Sequence, residues 1–112
     1  MDELAALSEH IDVRLDDGVA VVAFARPDKH NAISYEMWLA LSRILPALDS
    51  DAAVEVVLLT GTPGGPFSAG ADIAEFRTLR ADADGAQRYG AAVEAGERAI
   101  IACSKPTVAA IE

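Results

Sequence analysis

Cysteine is nearly absent: Cys103 is the one thiol in 112 residues, so no internal disulfide can brace the fold. At the end of an apolar helical pattern it reads as a small buried hydrophobe rather than a nucleophile. Aromatic residues are scarce too, at 5%, which leaves packing to small and branched aliphatic side chains. Positive charge is in short supply, with 9 basic against 18 acidic residues and a net charge of −9. That balance argues against nucleic acid or an anionic membrane as the main partner. No stretch reaches the roughly 18 consecutive apolar residues of a membrane span. The acidic start Met1-Asp2-Glu3 lacks the basic region that opens a signal peptide, so the expected compartment is the cytoplasm. The acidic residues Asp82, Asp84, Glu94 and Glu97 converge on no histidine, so a solvated face is expected there and no metal site.

What is present is an ordinary globular composition, 52% hydrophobic and 24% charged, of a length for at most one domain. Ile11, Val13 and Leu15 alternate with Asp12, Arg14 and Asp16, which predicts a half-buried strand. Asp16-Asp17-Gly18 is a hairpin turn, and Val19 to Ala25 returns as a strand apolar enough to be buried on both faces. After the polar loop Arg26 to Asn31, Ser34 is a candidate N-cap. Met37, Leu41, Ile44, Leu45 and Leu48 then mark a helix over 34–49, with Pro46 expected to kink or shorten its last turn. Val54 to Thr60 is a third strand, followed by a short helix over 71–79 and a polar break over 81–85. A longer helix over 86–103 has Tyr89, Val93 and Ile100 as inward candidates, and Lys105-Pro106 ends it. Thr107 to Ile111 begins another strand that needs cover on both faces. Alternating strands and helices predict an α/β architecture.

Between the third strand and the short helix runs Gly64-Gly65-Pro66-Phe67-Ser68-Ala69-Gly70-Ala71-Asp72-Ile73. A small-residue turn in that place lets a ligand approach the backbone closely. The first N–H groups of the following helix have no intrahelical partner, and they lie at the positive end of the helix dipole. They suit an oxygen carrying negative charge, which is the construction of an oxyanion hole.

Four blocks together carry a resemblance. Arg26-Pro27-Asp28-Lys29-His30-Asn31-Ala32-Ile33-Ser34, Val54 to Gly61, Phe67-Ser68-Ala69-Gly70-Ala71-Asp72-Ile73 and Lys105-Pro106-Thr107-Val108-Ala109-Ala110-Ile111 occur in order and spacing. In this arrangement the chain resembles the crotonase superfamily, which contains the enoyl-CoA hydratases and isomerases, from about Ile11 onward. The resemblance implies a crotonase-like ββα spiral, of which residues 1–112 would be the N-terminal half. It implies hydration of a 2-enoyl-CoA thioester through an enolate-like intermediate. An isomerase or another enolate-forming activity is the enzymatic alternative, and a non-catalytic CoA-binding or assembly fragment is the other.

The same resemblance implies that the backbone N–H of Ala71 is one oxyanion donor. The loop matching His30 to Ala32 and the segment Ala69, Gly70, Ala71, Asp72 and Ile73 would line the bound CoA. No cofactor is implied beyond the CoA of the thioester substrate, and the longer protein would be a homo-oligomer, a trimer or hexamer. A second oxyanion donor, from a Gly-rich segment, and two acid–base glutamates are expected beyond Glu112. Losing one such donor costs about 2.7–4 kcal/mol and losing the acid–base groups roughly another 10²–10⁴-fold, so the 112 residues alone are expected to be inert.

Individual residues have plainer roles beside these. Asp72 is expected as an acid favouring the start of the short helix, with a place in the acyl pocket as the alternative. Glu75, one helical turn beyond Ala71, is read as a solvated helix glutamate, with a place facing the pocket as the alternative. Asn31 is expected to order its loop through side-chain bonds to the backbone. His30 is left between a plain loop residue and a contact to phosphate or adenine. Lys29, Arg77 and Arg80 are read as ordinary surface cations, with a local positive field for the CoA phosphates as the alternative, and Trp38 belongs to the core or an interface.

Overall fold

A computed structural model describes residues 2–61, 66–70, 72–79 and 81–111. Four strands form one sheet: β1 (Ile11–Asp16), β2 (Val19–Phe24), β3 (Val56–Gly61) and β4 (Thr107–Ala110), in that spatial order. β1 and β2 are an antiparallel hairpin, while β3 and β4 join it in parallel. Among the described residues four α-helices accompany them: α1 (Asp2–Ala5), α2 (Tyr35–Asp49), α3 (Ile73–Leu79) and α4 (Ala83–Ala102). The mixed α/β architecture is the one predicted. No helix among the described residues is long and apolar enough to cross a membrane.

The hairpin forms because Asp17 and Gly18 both take positive φ, 47° and 83°, as a two-residue turn requires. The carbonyl of Gly18 then accepts from the N–H groups of Glu55 and Val56, at 2.7 and 3.2 Å. This contact holds the approach to β3, so Val54 lies buried ahead of the strand rather than within it. The sheet pairs Ile11 with Phe24, Val13 with Val22 and Val22 with Leu59, which places these buried side chains on one face. Met37, Leu41, Ile44, Leu45 and Leu48 of α2 complete the same core cluster. Each fully buried aliphatic side chain of this kind stabilises the fold by about 1.5–3 kcal/mol.

Ser34 caps α2: its Oγ accepts from the Met37 N–H at 3.1 Å. The helix runs through Pro46 to Asp49, so Pro46 does not shorten it. At the far end Lys105 Nζ donates to the carbonyls of Leu48 (2.9 Å) and Asp51. Asp49 accepts there from the N–H and Oγ of Ser104, at 3.1 and 2.7 Å. Cys103 follows the last turn of α4, half-buried, with its thiol 3.7 Å from Asp49 Oδ1.

Three expectations shift. The break over 81–85 is shorter than predicted, because Asp82 accepts from the Gly85 N–H at 2.6 Å and starts α4 at Ala83. α4 buries Gly85, Tyr89, Ala92 and Gly96, while Val93 and Ile100 are half-buried. Small residues win that face because the two helices approach closely: a Cβ on Gly96 would lie 2.6 Å from the Trp38 ring. The sheet's second face is the other correction. On β2 only Val21 of that face is buried, Val19 and Ala23 being half-covered. β4 is an edge strand among the described residues, and its exposed Val108 and Ala109 are the uncovered apolar surface expected of a strand that needs cover on both faces.

Candidate functional site

Two chain segments meet where β2 and β3 end. The first leaves β2, makes a single 3-10 turn at Pro27–Lys29, and carries His30 and Asn31 at φ 51° and 59° into the cap of α2. Left-handed backbone at two successive non-glycine positions costs energy, and Asn is among the few residues that tolerate it. The compensation is visible in the bonds. Asn31, fully buried, accepts from the Arg26 N–H at 2.7 Å and donates through Nδ2 to the Pro66 carbonyl at 2.8 Å. It orders its loop through side-chain bonds to the backbone, as expected.

The second segment is Pro66 to Gly70 with Asp72 and Ile73. Phe67 fixes its entry by packing edge-on against Phe24, with ring centroids 5.4 Å apart. Ser68 Oγ donates to the Asn31 carbonyl at 2.8 Å and accepts from the Gly70 N–H at 3.0 Å. Backbone bonds then stitch the two segments together. Ala69 N–H donates to the His30 carbonyl at 3.0 Å, and Ile33 N–H to the Gly70 carbonyl at 2.7 Å. Asp72 N–H returns to the Ile33 carbonyl at 3.3 Å.

The structure therefore brings together both stretches that the resemblance assigned to CoA. His30, Ala69, Gly70 and Ile73 are exposed, whereas Ala32 and Asp72 are buried. Ala71, the expected oxyanion donor, lies outside the described residues, as do Gly64, Gly65 and Arg80. Its two chain neighbours are both bonded to Ile33, one through its carbonyl and one through its N–H.

Asp72 behaves as the acid at a helix start. α3 begins at Ile73 rather than at Ala71, because Asp72 takes the capping position and its Oδ1 accepts from the Glu75 N–H at 3.2 Å. The other oxygen pairs with Arg26 Nη1 at 2.8 Å, and both side chains are largely buried. The backbone N–H of Glu75 holds the Asp72 carboxyl below its ordinary value of 3.8, against the opposing effect of burial, with Arg26 adding to the depression. A depressed folded value means that ionised Asp72 stabilises the fold above its unfolded value and loses that effect as pH falls through the folded one. Asp72→Asn should therefore melt below the natural protein at neutral pH, with the gap closing as pH is lowered below about 4. A constant gap from pH 7 to pH 3, read as melting temperature, would count against this.

Two residues escaped the sequence reading. Arg26, which the sequence shows only as part of a polar loop, is the ion-pair partner of Asp72 and also donates to the Ala32 carbonyl at 3.1 Å. Glu75 is not a solvated glutamate: it is half-buried, and its Oε1 accepts from the Tyr35 N–H, an otherwise orphaned donor in the first turn of α2. Its position one turn beyond the cap residue was the available signal. Lys29 and Arg77 are exposed, consistent with surface cations.

A family model described as enoyl-CoA hydratase/isomerase matches residues 14–112. A 4-chlorobenzoyl coenzyme A dehalogenase of an Arthrobacter species is 47% identical over 66 residues, covering 59% of this chain and 24% of that protein. A crotonyl-CoA hydratase of Syntrophomonas wolfei is 34% identical over 103 residues, covering 92% and 39%. Among solved structures, an enoyl-CoA hydratase/carnithine racemase from Magnetospirillum magneticum superimposes with a TM-score of 0.86 at 35% identity. That match covers 93% of this chain and 39% of the other. The chain thus spans two fifths or less of the length of these relatives.

Proposed function

This chain belongs to the enoyl-CoA hydratase/isomerase family, and on that premise we propose that it forms the N-terminal part of an enzyme hydrating 2-enoyl-CoA thioesters. In this reading the Ala71 N–H donates to the thioester oxygen as it gains enolate character. Water adds at C3 and a proton at C2. His30, Ala32, Ala69, Gly70, Asp72 and Ile73 line the CoA, which enters as part of the substrate with no separate cofactor. Ala32 and Asp72 are themselves buried, so they contribute by shaping that wall from behind. The acid–base groups and a second oxyanion donor come from chain beyond Glu112, and the whole protein works in the cytoplasm as a homotrimer or hexamer.

The observation that carries the reading is the double anchorage at Ile33. Bonds to Gly70 and Asp72 tie both chain neighbours of position 71 to Ile33, next to the loop of residues 30–32. An oxyanion donor works best when its neighbours are held in place, because a preorganised donor stabilises developing charge without reorganising during the reaction. A second reading has one observation in its favour, the 47% identity to a protein named for a chlorinated benzoyl-CoA substrate. Displacement at an aromatic ring conjugated to a thioester also places negative charge on the carbonyl oxygen, so the same donor would serve it.

The test gives the natural full-length polypeptide crotonyl-CoA, a 3-enoyl-CoA and 4-chlorobenzoyl-CoA in parallel. Loss of the conjugated enoyl-thioester absorbance is expected with crotonyl-CoA. Turnover of the 3-enoyl-CoA alone would make the protein an isomerase, and chloride release alone would establish the second reading. Turnover of none would sink the proposal. The isolated 112 residues should show no hydration above buffer.

A further inference from the structure

We infer that Arg26 is a positioning residue for this site, holding the segment on the far side of residue 71 through Asp72 and Ala32 without touching substrate. The inference rests on the reading above, in which the Ala71 N–H faces the thioester oxygen. One guanidinium nitrogen, Nη1, bridges the Asp72 carboxylate at 2.8 Å and the Ala32 carbonyl at 3.1 Å, with 14% of the Arg26 side chain exposed. Its reach therefore spans both partners of the stitched pair. The carboxylate is gripped from two sides, by Arg26 at Oδ2 and by the Glu75 N–H at Oδ1.

The two backbone bonds that flank position 71 are unequal. Ile33 to Gly70 is 2.7 Å, whereas Asp72 to Ile33 is 3.3 Å. The longer and weaker link is the one that Arg26 reinforces through the Asp72 side chain. The loop of residues 30–32 has other support, since Asn31 bonds the Arg26 N–H and the Pro66 carbonyl, and Ala69 bonds His30. None of those bonds uses the Arg26 guanidinium. Apart from its bond to the Ala32 carbonyl, that loop does not depend on the guanidinium, so the side chain of Arg26 acts chiefly on the Asp72 side of the site.

This separation gives the test. In the natural full-length polypeptide, Arg26→Met should lower kcat for crotonyl-CoA roughly 10- to 100-fold, as small misplacements of reacting groups do. The Kd for free CoA, which has no thioester, should stay within about twofold of its natural value if positioning alone is lost. Arg26→Lys, which keeps the charge without the planar fork, should recover part of the rate. Combining Arg26→Met with Asp72→Asn should cost no more than the larger single change, because both act through one pair. An unchanged kcat would overturn the inference, and so would kcat, CoA affinity and melting temperature falling together. Hydrogen exchange at the Asp72 amide separates this from the functional reading. If the natural protein turns over no thioester, faster exchange in Arg26→Met still upholds the positioning role, and unchanged exchange overturns it.

Discussion

Replacing Asn31 by Ala is expected to destabilise the full-length polypeptide by about 2–5 kcal/mol and to weaken CoA binding with it. Two costs add. Asn31 sits at φ 59°, where a residue with a Cβ and no local hydrogen bond loses about 1–2 kcal/mol. Its side chain also satisfies the Arg26 N–H at 2.7 Å, and an unsatisfied buried donor costs about 1–3 kcal/mol. Asn31→Gly removes the first cost and keeps the second, so it should fall between Ala and the natural protein. Denaturant unfolding of the three proteins measures the ladder. Equal losses for Ala and Gly would mean that the left-handed backbone carries no share, and a loss below about 0.5 kcal/mol for both would refute the argument.

The same residue marks how far sequence reasoning reached. Ser34, the Asp17-Gly18 turn and the Asn31 bond to the Arg26 N–H act within a few residues of themselves, whereas the Asn31 bond to Pro66 does not. Local chemistry of that kind is legible in a single chain. The stripe Met37, Leu41, Ile44, Leu45 and Leu48 was legible for a related reason, since its period of 3.6 has no other use. The Arg26–Asp72 pair and the Glu75–Tyr35 bond were not, because they join segments far apart in sequence through tertiary approach. The inner face of α4 was legible only in part: Tyr89 is buried and Ile100 packs on the core, as expected. Hydrophobic periodicity points to large residues, but Gly96 and Ala92 face α2 because Trp38 already fills the space between the helices. The uncovered surface of β4 was legible, because Thr107–Ala110 reads as an apolar strand in need of cover. The two CoA stretches were named from four matched blocks, yet nothing in those blocks shows that Ile33 ties them together.

Gly61 carries the other large expected effect. It ends β3, where the strand stops and the chain sets off toward Pro66. A Cβ at this position would lie 2.2 Å from the Pro66 carbonyl oxygen and 2.9 Å from its carbon, closer than real Cβ atoms come. Both atoms are backbone, so no side-chain rotation can relieve the clash. Relief requires moving the Pro66–Phe67 stretch, and two supports of the site move with it: the Asn31 bond to the Pro66 carbonyl and the Phe67 ring against Phe24. Overpacking of this kind costs about 1–3 kcal/mol and the broken bond adds a share of about 1–3, so Gly61→Ala should lose ~2–5 kcal/mol. Because Asn31→Ala breaks the same Asn31–Pro66 bond, the double replacement should lose less than the two single losses combined. Denaturant unfolding of the natural, single and double forms gives that coupling directly. Strict additivity would show that Gly61 and Asn31 act independently, and a single loss within about 0.5 kcal/mol would show that the turn has room for a methyl group. The expected coupling makes the end of β3 part of the site: a glycine there lets the small-residue segment close over the loop that Asn31 holds.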